Sequence, residues 1–351
     1  MHHTLLRMTG RISVAALLGA LLTISPAHAT TGLYGSQDPT YDGVYRHALT
    51  IVGLTAHKQS VPASAKQWLA TQQCADGGFE AFRANTSTAC TPADPAKYAG
   101  IDTNSTAAAA LAFAALGDNT RASRALDYLR KAQNADGGFP YYAGGDSDVN
   151  STAMAMLAFR ANRVAPISIA KNGKQAYDYL AGAMLGCAST SPGAFSFWGE
   201  ASDKATVQAL VALRSTLPWK RAATVNDFWP ACPTPSAPSS LWSAAAFYTS
   251  KTLAANAFSI PIPAAWGGGT DTSDTAWAAL GLIGTGRDAA VAASTVNALR
   301  SAAKAYTVDK DGKPLAGRVG LLLLVAAANG DSPRNFGGVD LVTLAKQSLG
   351  R

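Results

Sequence analysis

Internal repetition is the feature that most limits how this chain can fold. Residues 68–79 and 128–139 share one pattern: an aromatic residue, Leu, three residues, Gln, then Asp-Gly-Gly-Phe at the same spacing. This reads as a helix ended by a glycine stop, because Gly enters the left-handed conformation without a side-chain penalty. The Phe then packs back and fixes the exit. A second motif follows each copy. It is Asp102-Thr103-Asn104-Ser105-Thr106-Ala107 in one place and Asp148-Val149-Asn150-Ser151-Thr152-Ala153 in another. Asp271-Thr272-Ser273-Asp274-Thr275-Ala276 repeats it, and Ser202-Asp203-Lys204-Ala205-Thr206 is a weaker copy. Each opens with residues that cap a helix by accepting bonds from free backbone N–H groups. Each continues with small and apolar residues on nearly every face, the mark of a buried helix.

Two helix types therefore alternate. Buried helices are predicted over 41–57, 103–116, 149–161, 203–215, 273–283 and 317–328. Amphipathic helices are predicted over 63–73, 120–132, 174–185, 240–257, 289–306 and 339–349. Strict alternation of this kind fits an all-α closed double ring, with inner helices around a central cavity and outer helices keeping one wet face. An open helical solenoid is built from the same pairs and is the alternative. No stretch sustains period-two alternation, so few strands are expected.

The N-terminus reads as a leader. Arg7 and Arg11 precede an apolar run over 12–24, then Pro26 and Ala27-His28-Ala29. That is the order of a secretory signal peptide with a small-x-small cleavage site. The run is shorter than the ~20 residues a membrane helix needs. Cleavage near Ala29 would leave one domain over 30–351, secreted or held in the cell envelope, with no membrane span. The full chain has a formal charge of +7, and loss of Arg7 and Arg11 leaves +5. This excess is spread thinly, with no basic cluster among aromatics, so nucleic acid is not an expected partner.

Four cysteines remain after cleavage: Cys74, Cys90, Cys187 and Cys232. An even count in an exported chain reads as disulfides. Three pairings are open, and the sequence-local one, Cys74–Cys90 with Cys187–Cys232, is favoured because each bond staples one long loop. No Cys-x-x-Cys exists, and only His47 and His57 remain, so neither a metal nor a cofactor is expected.

With these motifs in view, the chain resembles the squalene cyclase and protein prenyltransferase β-subunit superfamily. The Gln…Asp-Gly-Gly-Phe segments look like its repeats. The Asp-x-Asn-Ser-Thr-Ala and Asp-Thr-Ser-Asp-Thr-Ala segments resemble its inner-helix starts. The resemblance covers nearly all of the predicted mature chain and implies an (α/α)6 toroid. It does not imply one function. Class II terpene cyclases protonate an alkene with the middle Asp of Asp-x-Asp-Asp-Thr-Ala. Here that position is Ser273, or Asn104 and Asn150 in the other copies, and none is an adequate acid. Asp274 is next door, and with Asp271 it is the remaining catalytic candidate. The Asp/Cys/His zinc set of prenyltransferases, an Asp-Asp-x-x-Asp run and a thioester Cys-Gly-Glu-Gln are all absent. Corrinoid carriers of this superfamily bind between the ring and a second β domain. The chain ends just after the last predicted helix, so cobalamin is not expected.

A binding reading and an enzyme reading follow. If the ring closes, all inner helices start at one end, beside loops rich in Gly, Ser, Thr and aromatics. Asp102, Asn104, Asp148, Asn150 and Ser273 then form a rim, with Tyr141, Tyr142, Phe197, Trp198 and Trp266 nearby. A non-catalytic site for a small molecule, a lipid or a glycan is the favoured reading. The alternative is an enzyme working in the ring, terpene-cyclase or prenyltransferase-like, or glycan-active through paired rim carboxylates. The two differ in geometry: an enzyme sets two carboxyl groups across one substrate, whereas a binder spends each Asp on its own helix start.

Overall fold

A computed structural model describes residues 38–213, 219–225 and 238–350. The predicted leader, Ser215 and Cys232 lie outside the described residues. Among the described residues the chain forms twelve α-helices. Six are the inner ones: α1 (Gly43–Ala56), α3 (Thr103–Leu116), α5 (Val149–Ala161), α7 (Asp203–Leu213), α9 (Thr272–Thr285) and α11 (Ala316–Asn329). The outer ones are α2 (Ala63–Gln72), α4 (Asn119–Ala132), α6 (Ala176–Ala183), α8 (Pro238–Ala255), α10 (Ala289–Thr307) and α12 (Leu341–Ser348).

The ring closes. Each inner helix packs on the next, α1 on α3, then α5, α7, α9 and α11, and α11 packs back on α1. The open solenoid is thereby excluded, and the (α/α)6 toroid is the fold. Closure rests on small residues at the α1–α11 seam. A Cβ on Gly320 would lie 2.6 Å from the Thr50 backbone N, and one on Gly53 would lie 2.8 Å from the Gly320 carbonyl. Thr50 Oγ1 donates across the seam to the Ala316 carbonyl at 2.7 Å.

The two repeat motifs meet in space. Short antiparallel ladders join β1 (Phe79–Glu80) to β2 (Ile101–Asp102) and β3 (Phe139–Pro140) to β4 (Ser147–Asp148). They also join β7 (Phe195–Phe197) to β8 (Glu200–Ser202) and β9 (Ile260–Pro261) to β10 (Thr270–Asp271). β5 (Ala170–Lys171) and β6 (Lys174–Gln175) form one more, before α6. The register puts Phe79 opposite Asp102, Phe139 opposite Asp148, Phe195 opposite Ser202 and Ile260 opposite Asp271. Each apolar residue donates its N–H to a threonine one turn into the next inner helix: Thr106, Thr152, Thr206 and Thr275, all at 2.8–2.9 Å. The Thr of the second motif thus clamps the apolar residue of the first. Thr106→Val would leave the buried Phe79 N–H unpaired and should lower stability by about 1–3 kcal/mol in urea titration.

The first motif works differently from the sequence expectation. Its glycines do not end the helix. α2 and α4 stop at Gln73 and Gln133, whose backbones are already extended or close to it. The Asp-Gly-Gly turn comes after. Asp76 and Asp136 accept from the Gly78 and Gly138 N–H groups at 3.0 and 2.9 Å. Gln73 and Gln133 donate to the Gly77 and Gly137 carbonyls at 3.1 and 2.9 Å. Gly77, at φ +96°, is fixed by crowding, since a Cβ there would sit 2.2 Å from the Arg124 carbonyl.

Candidate functional site

The inner helices leave little open space. Residues 105–113 of α3, 151–159 of α5 and 274–285 of α9 are buried on every face. Ala-rich helices approach closely enough to fill the ring at that depth. The expected central cavity is not open at that depth, and its mouth, the rim at the end where the inner helices begin, is what remains of it as a candidate site. Tyr45, near the start of α1, is half-buried. The Tyr45 hydroxyl reaches Met154 Sδ of α5 at 3.9 Å, although α3 stands between those helices. Burial lowers the acidity of this hydroxyl, and the charge of Asp274 on α9 lowers it further, although α11 stands between. Both interactions reach across to helices that are not neighbours of α1, which puts the hydroxyl on the inner side of the ring.

The predicted rim aspartates act as helix caps. Asp102 Oδ1 accepts from Ser105 N at 2.6 Å, Asp148 from Ser151 N at 2.7 Å and Asp271 from Asp274 N at 2.9 Å. In the weaker copy Ser202 Oγ takes this place, accepting from Ala205 N at 3.2 Å. That releases Asp203, which accepts instead from the Tyr248 hydroxyl of α8 at 2.7 Å. Around the mouth, Asn150 donates to Gln208 of α7 at 2.8 Å, and Ser273 shares a hydrogen bond with the Tyr306 hydroxyl at 2.8 Å. Asp102 Oδ2, Thr103 Oγ1, Asn104 Oδ1 and Ser151 Oγ are buried at the starts of α3 and α5 with no protein partner.

Asp274 stands apart. It sits at the cap-plus-three position, where α3 and α5 carry Ser105 and Ser151. It is 7 % exposed, and its carboxyl has no hydrogen-bond partner among the described residues. Burial pushes its pKa up to about 7, with Asp271 and Asp203 adding to the shift and Lys204 opposing it. Burial raises Asp102 to about 7 as well, against the bonds it accepts from Ser105.

The aromatic candidates divide. Phe79, which also follows a Gly-Gly pair, is wholly buried and packs on Phe113. Tyr141 and Tyr142 meet edge to face at 4.7 Å, and Tyr142 donates to the Tyr98 carbonyl at 2.9 Å. Phe197 and Trp198 stack with centroids 4.7 Å apart, and Trp266 projects outward.

The histidines are structural. His47 Nε2 contacts the Ala65 carbonyl at 2.8 Å, and burial lowers its pKa to about 4. His57 Nε2 contacts the Leu323 carbonyl at 2.9 Å. Cys74, Glu80 and Cys90 come together as a metal site would require, but both thiols are spent in the Cys74–Cys90 disulfide. Cys187 is also disulfide-bonded. No helix among the described residues is long and apolar enough to cross a membrane.

Tyr45, Gln208, Asp203 and Tyr248 were not legible as site residues. α1 lacks the cap motif that marks the other inner helices, so Tyr45 carries no sequence signal. Asp203 did carry one, the displacement of Asp by one place in the weaker copy.

Residues 44–190 match the family described as prenyltransferase alpha-alpha toroid domain. No curated protein matches the chain. Among solved structures, a protein from Actinoplanes matches at 12 % identity and a TM-score of 0.49, over 81 % of this chain and 90 % of that one. Candida albicans protein geranylgeranyltransferase-I complexed with GGPP matches at 13 % and 0.49, over 89 % and 93 %. A glycosidase carrying a single substitution matches at 15 % and 0.39, over 81 % and 98 %.

Proposed function

We propose that this chain, whose residues 44–190 match the prenyltransferase alpha-alpha toroid domain family, is an exported binding protein that seats a small molecule, lipid or glycan in the mouth of its inner ring. One observation carries this reading. Buried polar atoms without protein partners gather at the starts of α3 and α5: Asp102 Oδ2, Thr103 Oγ1, Asn104 Oδ1 and Ser151 Oγ. Buried polar atoms are almost always paired, so such a cluster calls for an occupant. Asn150, Gln208 and Ser273 add amide and hydroxyl groups, which suit a neutral, hydrogen-bonding ligand. The capping of Asp102, Asp148 and Asp271 supports binding over carboxylate-pair catalysis. Export is supported by the leader-like composition of residues 1–29 and by the Cys74–Cys90 bond, since disulfides persist in oxidising compartments.

A thermal-shift panel of neutral oligosaccharides, isoprenoid alcohols and their diphosphates tests the reading. One class should raise Tm of the wild type, and the shift should vanish in both Asn150→Leu and Gln208→Leu. No shift with any class, or a shift that both variants keep, would contradict it.

Asp274 favours a second reading. A carboxyl group half-protonated near neutrality and free of partners is equipped to donate a proton. Asp203 on the neighbouring helix is the base-side candidate. If the ring is an enzyme, Asp274→Asn abolishes turnover and keeps ligand binding.

A further inference from the structure

Two exposed aromatic residues hold backbone conformations that aromatic residues avoid. Trp198 is 89 % exposed at φ +52°, and Tyr98 is 77 % exposed at φ +50°. Left-handed backbone is uncommon outside Gly, Asn and Asp, because Cβ crowds the carbonyl. Trp198 and Gly199, the latter at φ +86°, are the two central residues of the β7–β8 hairpin, between paired Phe197 and Glu200. Two-residue hairpin turns with positive φ at both places favour Asn-Gly. A tryptophan there gains little in packing with the core, since its ring contact is Phe197, itself exposed and stacked at 26°. Strain of this sort persists where a function holds it.

These residues lie along an arc. Tyr141 and Tyr142 precede α5, Phe197 and Trp198 precede α7, and Trp266, 81 % exposed, precedes α9. α5, α7 and α9 are successive neighbours in the ring. Packed helices are spaced about 8–10 Å apart. The aromatic platforms therefore follow one another at roughly that spacing, which suits a chain laid across them.

Charge selects the kind of chain. Residues 140–148, 195–202 and 260–272 contain no Lys or Arg, whereas they contain Asp146, Asp148, Glu200 and Asp271. An anionic lipid surface, a nucleic acid or a diphosphate finds no counter-charge on these loops. A neutral polysaccharide finds both parts of what it needs. The C–H face of a sugar ring carries slight positive charge and meets the negative face of the indole, and its hydroxyls can donate to the flanking carboxylates and carbonyls.

We infer that the loops preceding α5, α7 and α9 form an aromatic platform that binds a neutral polysaccharide chain, with Trp198 as its principal contact. This rests on the reading of this end of the ring as the binding end, and extends it from the mouth onto the hairpin tips.

Pull-down of the full chain on cellulose, chitin, insoluble β-1,3-glucan and starch granules tests the inference, with phosphatidylglycerol vesicles as the competing surface. Wild type should be retained on at least one polysaccharide and not on vesicles. Trp198→Asn should reduce retention at least tenfold while raising Tm by about a degree or more, because Asn-Gly fits the turn better. Retention kept in Asn150→Leu but lost in Trp198→Asn assigns it to the platform rather than the mouth. Three outcomes would overturn the inference: no retention on any of the four, preference for the vesicles, or unchanged retention in Trp198→Asn. A Tm that falls in Trp198→Asn would show a structural role for the indole and overturn it equally. A failure here leaves the mouth ligand's Asn150-dependent shift intact, so the two readings fail separately.

Discussion

Asp274→Asn makes the protein more stable at pH 8, by up to about 4 kcal/mol, and leaves it unchanged below about pH 4. The size follows from a pKa raised from 3.8 to about 7, at 1.36 kcal/mol per unit. The direction follows from proton linkage. The folded protein holds the Asp274 proton more tightly than the unfolded chain does, so the wild type loses stability as pH rises from about 4 to about 7. Above that window the full cost of a largely desolvated carboxylate is present. Asn fills nearly the same space and carries no charge, so it avoids that cost. Urea titrations of both proteins at pH 4, 6 and 8 give the comparison. An Asn variant no more stable than wild type at pH 8 would mean that the carboxylate has a partner or reaches water.

The second large effect lies at the ring closure. Gly320→Val should cost about 3 kcal/mol or more, near or beyond the upper end for overpacking. A side chain there would strike the backbone of Leu49 and Thr50, which cannot swing aside as a flexible side chain can. The loss should be greater than for Gly317, where the nearest atom is Arg46 Cγ. Gly182→Ala is the contrasting case. It lies in α6, where an added Cβ would meet nothing within 4 Å, and removing backbone freedom there should add about 0.5 kcal/mol. Urea midpoints for the three variants rank these effects. Equal losses at Gly320 and Gly317 would mean that the α1–α11 seam is looser than its geometry indicates.

The helices were legible because their starts are chemically marked. α3 and α5 begin and end where the cap residues and the apolar runs place them, at Thr103–Leu116 and Val149–Ala161. α6 is shorter than its periodic pattern, 174–185, because Lys174 and Gln175 are taken into β6 and a capping box between Gln175 and Asp178 starts the helix after them. Closure was not legible, since the same repeats build open and closed arrays, and it depends on where Gly53 and Gly320 meet. How tightly the inner helices pack was not legible for a related reason. Helices apolar on all faces can line a cavity or pack one shut, and the run Ala107–Ala110 chooses the second by its small volume.

At the site, the rim aspartates had the expected position, with caps as their main hydrogen-bonding role. The carboxyl left over was Asp274, one place beyond the position that a cyclase acid would occupy. Its distinction depends on what surrounds it across the ring, and neighbours on α1 and α7 cannot be read from the motif on α9. Trp198 likewise reads in sequence as one more aromatic. Only the hairpin register shows that it occupies a turn position better suited to Asn.

The central claim is that the mouth of the ring holds a ligand, and native mass spectrometry of the protein recovered from culture medium tests it most directly. The predicted result is a chain beginning near Thr30 with a bound molecule that Asn150→Leu and Gln208→Leu fail to retain. A chain recovered without any bound molecule, or one whose adduct both variants keep, would contradict the account.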